Sequence, residues 1–116
     1  MTSIIFYHNP RCSKSRETLA LVKNTQHDVE IIKYLETAPS NETIKQLISQ
    51  LGFTSARQLM RTKEKLYREL NLASEEDESA LIAVMHANPS LIERPIVVAN
   101  GKAAIGRPPE SVLAIL

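Results

Sequence analysis

The sequence predicts a single α/β domain over residues 1–116, in which a β-α-β segment and a β-β-α segment flank a block of helices. Three observations carry this prediction: a β-branched and aromatic run near the start, a strongly periodic helix in the middle, and an Asn-Gly pair between two apolar runs near the end. At 116 residues the chain is long enough for one compact core but too short for a second.

The β-α-β segment begins with the apolar run SIIFYH, which is typical of a buried strand and is interrupted at Asn9 and Pro10. A helix is predicted over about residues 13–24, with Leu19 and Val22 on its inner face. The run DVEIIKYL predicts a second strand. Because strands joined through a helix are usually parallel, we expect these two to form a parallel pair.

Helices are predicted for the middle of the chain. In APSNETIKQLISQLG, Ser40 is the predicted N-cap and Gly52 follows the helix end. Two further helical segments are predicted around SARQLMR and DESALIAVMHANP, the second closed by Asn88 and Pro89. The apolar positions that define the first of these helices are Ile44, Leu47, Ile48 and Leu51.

The β-β-α segment begins in RPIVVANGKAAIGRP. Its two short apolar runs surround Asn100-Gly101, a pairing typical of a two-residue hairpin turn. Pro109 and Glu110 are predicted to open a last helix. The predicted inner face of that helix consists of Val112, Leu113 and Leu116.

Composition argues against several classes of protein. A net charge of +1 creates no global field for nucleic acid or an acidic membrane. No apolar run approaches the roughly 20 residues of a membrane span, and MTSIIFYHNP lacks the features of a secretory signal. The single cysteine cannot form an internal disulfide, and the scattered histidines lack zinc-ligand spacing. We therefore expect a cytoplasmic protein with a reduced thiol and no metal.

That cysteine, Cys12, lies where the first helix should begin, so free backbone N–H groups and the helix dipole favour a thiolate there. Arg16 lies four residues on and can return to the same face, Arg11 and Lys14 add positive potential, and His8 ends the strand. Together these groups should lower the pKa of Cys12 from its usual value of roughly 8.5. The same N–H groups and Arg16 can hold a tetrahedral oxyanion. We predict Cys12, His8 and Arg16 as catalytic residues, with Cys12 as nucleophile.

The spacing around Cys12 restricts its chemistry. Ser15 occupies the second position of a Cys-x-x-Cys pattern, which excludes an internal dithiol. Only three residues separate Cys12 from Arg16, too few for the Cys-x₅-Arg loop that wraps a phosphate. Any adduct on this thiol must therefore be resolved by a thiol from outside the chain.

The segments YHNPRCSKSR, YLETAPS, LMRTKE, NPSLIERPIVV and IGRPPE resemble, in order and over essentially the whole chain, the ArsC-type arsenate reductases. This is the glutaredoxin-linked class, and the resemblance extends to its YfgD-type members. It implies a thioredoxin-like fold with a glutaredoxin-like four-stranded mixed sheet and a helical insertion between the βαβ and ββα halves. It also implies a cis peptide bond between Arg94 and Pro95.

The resemblance further implies a reaction. Cys12 would attack arsenate or a similar oxyanion, and His8 would tune the ionisation of the thiol. The oxyanion-binding arginines would be Arg61, Arg94 and Arg107, since guanidinium groups grip oxyanions through paired N–H bonds. Glutathione, as a co-substrate, and then glutaredoxin would resolve the adduct and release arsenite. No bound cofactor is implied, and we expect a monomer.

Two alternatives remain open at this point. One is a glutathione-dependent thiol oxidoreductase that acts on mixed disulfides; activity on a glutathionylated peptide but not on arsenate would favour it. The other is a regulator that binds a protein, as the related Spx-like proteins bind RNA polymerase. Ser15 argues against the redox-sensor mechanism of those regulators, which generally relies on Cys-x-x-Cys. Capture of RNA polymerase by a Cys12→Ser protein would favour the regulator.

Overall fold

The computed structural model of the protein describes residues 3–25 and 27–116, which form two compact units. The first unit holds the described residues up to Thr37 together with Arg94–Leu116. The second unit is the intervening segment, Ala38–Glu93. One domain over residues 1–116 stays a prediction.

A four-stranded mixed sheet in the order β2-β1-β3-β4 forms the centre of the first unit. Strand β1 (Ser3–Tyr7) pairs in parallel with β2 (Asp28–Ile32) and antiparallel with β3 (Ile96–Ala99), which pairs antiparallel with β4 (Lys102–Ile105). This confirms the predicted α/β class, the parallel opening pair and the mixed sheet of a thioredoxin-like fold. β2 ends earlier than the run DVEIIKYL indicates, because the chain turns immediately after Ile32.

The predicted hairpin turn between β3 and β4 is confirmed. Asn100 and Gly101 both have positive φ angles, 55° and 74°. Two positive angles in succession define the type I′ turn, whose twist matches that of the strands it joins. The Asn-Gly pair is therefore sufficient, in this case, to fix the local geometry.

Helix α1 (Ser13–Lys23) covers the sheet, with Cys12 as its N-cap residue and Asn24 as its C-cap residue. Val22 is fully buried and Leu19 packs against the same core, as predicted. The buried residues of this core come from β1, α1, β3 and the segment after β4: Ile4, Phe6, Val22, Val97, Ala99 and Val112.

The last helix is a 3₁₀ helix over Pro109–Ile115, and the prediction that Leu113 faces inward is wrong. With about three residues per turn, inward positions recur at every third residue. Val112 is accordingly buried and Ile115 packs against the core, whereas Leu113 is 41% exposed. The predicted contact of Leu116 with the core is confirmed.

The second unit is helical. It contains α2 (Asn41–Gln50), α3 (Lys65–Glu69) and α4 (Glu78–Ala87). α2 and α4 confirm their predictions, and the Ser40 side chain caps α2 by accepting a hydrogen bond from the Thr43 N–H (3.1 Å). In the described part of the chain, every helix is too short or too polar to cross a lipid bilayer. Short 3₁₀ helices occupy Ala56–Leu59, Leu72–Ser74 and Pro89–Leu91.

Two of these helices differ from the sequence prediction. The segment SARQLMR forms a 3₁₀ helix instead of a longer helix, and α3 was not predicted. A five-residue helix such as α3 is too short to be stable by itself. Arg57 helps to fix this region by donating hydrogen bonds to the Tyr67 hydroxyl and to the carbonyl of Leu72 (2.9 Å). Such side-chain contacts leave no periodic pattern in the sequence.

Candidate active site

The Cys12 loop, residues 8–12, is fixed by local hydrogen bonds. The Cys12 N–H donates to the Asn9 carbonyl (3.0 Å), and the Arg11 N–H donates to the Asn9 side-chain oxygen (3.1 Å). The Arg16 N–H then donates to the Cys12 carbonyl (3.0 Å), which begins α1. The thiol is partly exposed at this helix start. An N-cap side chain normally accepts hydrogen bonds from the second and third helical N–H groups. Cys12 occupies the N-cap position, but its side chain forms no capping hydrogen bond.

The net effect of the surroundings is to lower the pKa of the Cys12 thiol. Partial burial, the largest single influence, raises the pKa. The two strongest opposing influences are the backbone N–H of Ser15 and the guanidinium of Arg94. The backbone N–H of Lys14 and the guanidinium of Arg107 follow, and together the four groups outweigh burial. The predicted activation of the cysteine therefore has a physical basis in this geometry.

Arg94 and Arg107 are coupled to each other and to the thiol. Arg107 Nη2 donates to Cys12 Sγ at 3.8 Å, and Arg107 Nε donates to the Arg94 carbonyl at 2.9 Å. Arg94 Nε and Nη1 are buried and have no hydrogen-bond partner among the described residues. Buried unpaired donors are costly, and they suit an acceptor such as an oxyanion oxygen. The Arg94-Pro95 bond is cis, as the resemblance implies, and so is Arg107-Pro108.

Gly106 allows the segment that carries Arg107 to pack closely. Its N–H donates to the Pro95 carbonyl at 3.0 Å. A Cβ at this position would lie 2.5 Å from Thr18 Oγ1 and 2.9 Å from Pro95 Cγ, which is closer than real contacts allow. Any larger residue would push this segment away from α1. Sequence reasoning missed this role, although an isolated glycine directly before a predicted ligand is a usable signal.

Ser15 connects the strand end to the Cys12 loop and was also missed as a site residue. It is fully buried, and its Oγ accepts a hydrogen bond from the Asn9 N–H (3.0 Å) and lies 2.7 Å from His8 Nδ1. Burial lowers the pKa of His8, with Lys33 contributing next, so the imidazole is neutral at pH 7. The Ser15 hydroxyl can then donate to Nδ1. His8 thus reaches the loop through Ser15.

Arg16 and Lys14, two basic residues close to Cys12 in sequence, have partners other than the thiol. The Arg16 guanidinium donates to the Pro10 carbonyl (2.8 Å). The sequence instead predicts that this guanidinium lies beside the thiolate. Lys14 pairs with Glu17 (3.5 Å) on the exposed face of α1. The catalytic role of Arg16 stays a prediction, since a loop carbonyl is the partner the structure gives it.

Arg61 belongs to the second unit. Its Nη1 lies 2.9 Å from a Glu64 oxygen and its Nε lies 3.6 Å from a Glu93 oxygen. Its backbone N–H donates to the Leu91 carbonyl (2.7 Å). Two carboxylates therefore share the positive charge of this guanidinium, and its role as an oxyanion ligand stays a prediction that rests on the resemblance.

Alkylation by iodoacetamide should report the activation of Cys12 directly, because it is the only thiol in the chain. The rate follows the thiolate fraction, so a lowered pKa places the midpoint of the rate-against-pH curve below the ordinary thiol value of about 8.5. By linkage, thiolate formation stabilises the fold above that ordinary value, and this stabilisation is lost as pH falls through the folded-state pKa. The urea-unfolded protein is the control and should titrate near 8.5. An identical midpoint in both states would contradict activation.

Replacement of Ser15 by alanine should destabilise the Cys12 loop. The change leaves the Asn9 N–H and His8 Nδ1 without the partner they share, which costs about 1–3 kcal/mol of unfolding free energy. Urea unfolding measures the loss, and Ser13→Ala, at an exposed position of the same helix, is the matched control. A Ser15→Ala protein within about 0.5 kcal/mol of wild type would show that the shared hydroxyl is dispensable.

The chain is similar in sequence and structure to known proteins over nearly its whole length. A family model described as the ArsC family matches residues 7–115. The chain is 61% identical over 111 residues to YfgD of Escherichia coli (strain K12), covering 95% of this chain and 93% of that protein. It is 47% identical to an arsenate reductase of Neisseria meningitidis serogroup A over an alignment of 117 positions, which covers 100% of this chain and 100% of that protein. A solved structure of arsenate reductase from Vibrio cholerae superposes with a TM-score of 0.96 at 58% identity, covering 99% of this chain and 98% of that chain.

Proposed function

This chain belongs to the ArsC family, and from that premise we propose that it is an arsenate reductase that uses Cys12 as its nucleophile and draws electrons from glutathione and glutaredoxin. The observation that carries the proposal is the arrangement at the thiol. Cys12 has a lowered pKa, Arg107 lies 3.8 Å from its sulfur, and Arg94 holds two buried donors that have no partner in the described part of the chain. The arsenate reductases among its relatives support the choice of substrate.

Binding of arsenate relies on charge that cannot be lost by deprotonation. Guanidinium groups remain protonated at any physiological pH and bind tetrahedral oxyanions through paired N–H donors. The free Nε and Nη1 of Arg94 form such a pair, and Arg107 provides a second cation at the sulfur. An oxyanion that accepts these donors would bring its central atom beside Cys12.

The first chemical step is attack of the Cys12 thiolate on arsenic. An S–As bond forms, an As–O bond breaks, and the departing oxygen takes up protons and leaves as water. Arg94 and Arg107 offset the negative charge that develops on the remaining oxygens. His8, buried and neutral, holds the loop through Ser15 and adds no charge that would compete with the arginines.

The second stage supplies two electrons. The chain has one cysteine, so the second thiol must come from outside. Glutathione attacks the adduct, arsenic is reduced from As(V) to As(III), and one disulfide forms as arsenite is released. Glutaredoxin then reduces that disulfide with its own thiols. Two thiols thus lose one electron each, and arsenic gains both.

The test is an NADPH-coupled assay with glutathione, glutathione reductase and glutaredoxin, together with direct measurement of arsenite. NADPH oxidation that requires arsenate, and arsenite formed in equal amount, is the expected result. Omission of glutathione or of glutaredoxin should each abolish it. NADPH oxidation that is independent of arsenate would contradict the proposal, and turnover of a glutathionylated peptide under the same conditions would favour a thiol oxidoreductase.

A further inference from the structure

A cleft of about 380 Å³ lies beside the Cys12 loop, lined by residues 8–11 and by Lys33, Leu35 and Glu36. We propose that this cleft binds the external reductant, and that it selects a small thiol that carries carboxylates and an ammonium group. The proposal rests on the proposed function only in requiring a thiol from outside the chain. It goes further by assigning the residues that recognise that thiol and the charged groups of the thiol that they contact.

The position of the cleft follows from the sheet. β1 and β2 are parallel, so their carboxyl ends emerge at the same edge, and the His8 N–H donates to the Ile32 carbonyl (2.8 Å) to hold the two ends together. Ligands of open α/β sheets bind outside the carboxyl ends of the strands. The loop after β1 carries Cys12, and the Cys12 N–H donates to Asn9, which lines the cleft. A ligand in the cleft therefore contacts the same loop as the thiol.

The charges that line the cleft are available to a ligand. Arg11, Lys33 and Glu36 have exposed side chains, and none of the three forms a salt bridge within residues 3–25 and 27–116. Lys33 acts electrostatically on His8, where it contributes to the lowered pKa, so its positive potential reaches the cleft wall. His8 itself is neutral, which leaves two cations and one carboxylate as the charged groups of the lining.

This charge pattern selects one class of thiol. Two carboxylates on a ligand match Arg11 and Lys33, and an ammonium group matches Glu36. Glutathione has this set of charges, and the cleft volume lies within the usual range of small-molecule sites, about 300–1,000 Å³. A neutral thiol such as mercaptoethanol gains nothing from these residues, and a cationic thiol such as cysteamine is repelled by two of them.

The step to be measured is a thiol–disulfide exchange on Cys12. With Cys12 held as a mixed disulfide with thiopyridine, the incoming thiolate attacks the Cys12 sulfur and forms a new S–S bond. The bond to thiopyridine breaks, and thiopyridone leaves with the electron pair after protonation by solvent. Its absorbance gives the rate. The leaving group is neutral and does not compete for the charged lining.

The experiment compares glutathione, mercaptosuccinate, mercaptoethanol and cysteamine. Each rate is divided by the rate of the same thiol with free thiopyridyl-cysteine, which removes differences in thiol basicity. At low ionic strength the wild-type protein should rank glutathione above mercaptoethanol and mercaptoethanol above cysteamine. In Arg11→Gln/Lys33→Gln the normalised glutathione rate should fall by about fivefold or more, as expected when exposed ion pairs are lost. The mercaptoethanol rate should stay within about twofold, because an uncharged thiol makes no such pair.

Glu36→Gln should change the glutathione and mercaptosuccinate rates in opposite directions, which a general change in charge cannot do. The normalised glutathione rate should fall because the ammonium loses its partner, whereas the mercaptosuccinate rate should rise because that ligand has only carboxylates. Lys102→Gln, an exposed lysine on β4, is the matched control and should leave the ranking unchanged.

Equal normalised rates for all four thiols, or parallel changes in the variants, would overturn the proposal. The assay contains no arsenate, so its outcome is independent of the proposed function. A protein that shows the expected thiol ranking but does not reduce arsenate would support the cleft proposal and contradict the proposed function. A protein that reduces arsenate but shows no thiol preference would support the proposed function and overturn the cleft proposal.

Discussion

Arsenate reduction by the Cys12→Ser variant is expected to be indistinguishable from the enzyme-free reaction. The serine hydroxyl is not ionised near neutral pH, so no anion forms at the start of α1. An oxygen nucleophile would also yield an arsenate ester with no sulfur to take part in reduction. Removal of a catalytic nucleophile in other enzymes costs up to roughly 10⁶ in kcat. We expect a loss of at least about 10³, limited by the sensitivity of the assay.

The measurement is arsenite formation in the coupled assay, with urea unfolding to show that the variant is folded. Ser13→Ala changes the next residue at an exposed position and is the matched control, with activity near wild type. Arsenate-dependent turnover by Cys12→Ser above about one-tenth of wild type would mean that the thiol is not the nucleophile.

The second large effect is expected from Arg94→Gln. Glutamine keeps hydrogen-bonding capacity but removes the charge and the paired N–H geometry, so both oxyanion binding and transition-state stabilisation should weaken. Removal of one such donor typically costs about 10²–10³ in rate. The midpoint of the Cys12 alkylation curve should move to higher pH at the same time, since Arg94 is one of the groups that lower the pKa of Cys12.

Arg68→Gln, an exposed arginine on α3, is the matched control and should retain activity and the wild-type alkylation curve. Unfolding free energy separates a functional role of Arg94 from a structural one. Buried guanidinium donors without partners do not stabilise the free protein. Arg94→Gln should therefore unfold at the wild-type urea concentration or above it. Loss of both stability and activity would show that Arg94 mainly supports the fold.

The elements predicted correctly are those specified by local patterns. The Asn100-Gly101 pair fixes a type I′ turn, the apolar spacing of α2 fixes its buried face, and Ser40 fixes its start. The predicted inner face of the last helix includes Leu113, but Pro109–Ile115 is a 3₁₀ helix with about three residues per turn, and Leu113 is exposed. Nothing in the residue types there distinguishes a 3₁₀ helix from an α-helix.

The site shows the same division. Cys12 could be located from the sequence because it lies in the loop between a strand that ends at Tyr7 and a helix that starts at Ser13. Arg94 and Arg107 could be named only through resemblance, since their approach to the thiol requires β3 and β4 to pair beside β1. The roles of Ser15 and Gly106 could not be predicted, because the side chains that they contact come from across the loop or from distant parts of the sequence. For Arg16 the structure shows a hydrogen bond to the Pro10 carbonyl, and its catalytic role stays a prediction.

Two Arg94 donors have no partner within residues 3–25 and 27–116, and this affects the choice of buffer for the protein. Any small tetrahedral anion that accepts these donors stabilises the folded chain, and the stabilisation grows with the logarithm of the anion concentration above its dissociation constant. Phosphate and sulfate buffers should therefore raise the melting temperature while slowing turnover, and chloride buffers should do neither. The phosphate buffer that gives the highest melting temperature would then also be the buffer in which phosphate competes most strongly with arsenate for the Arg94 donors.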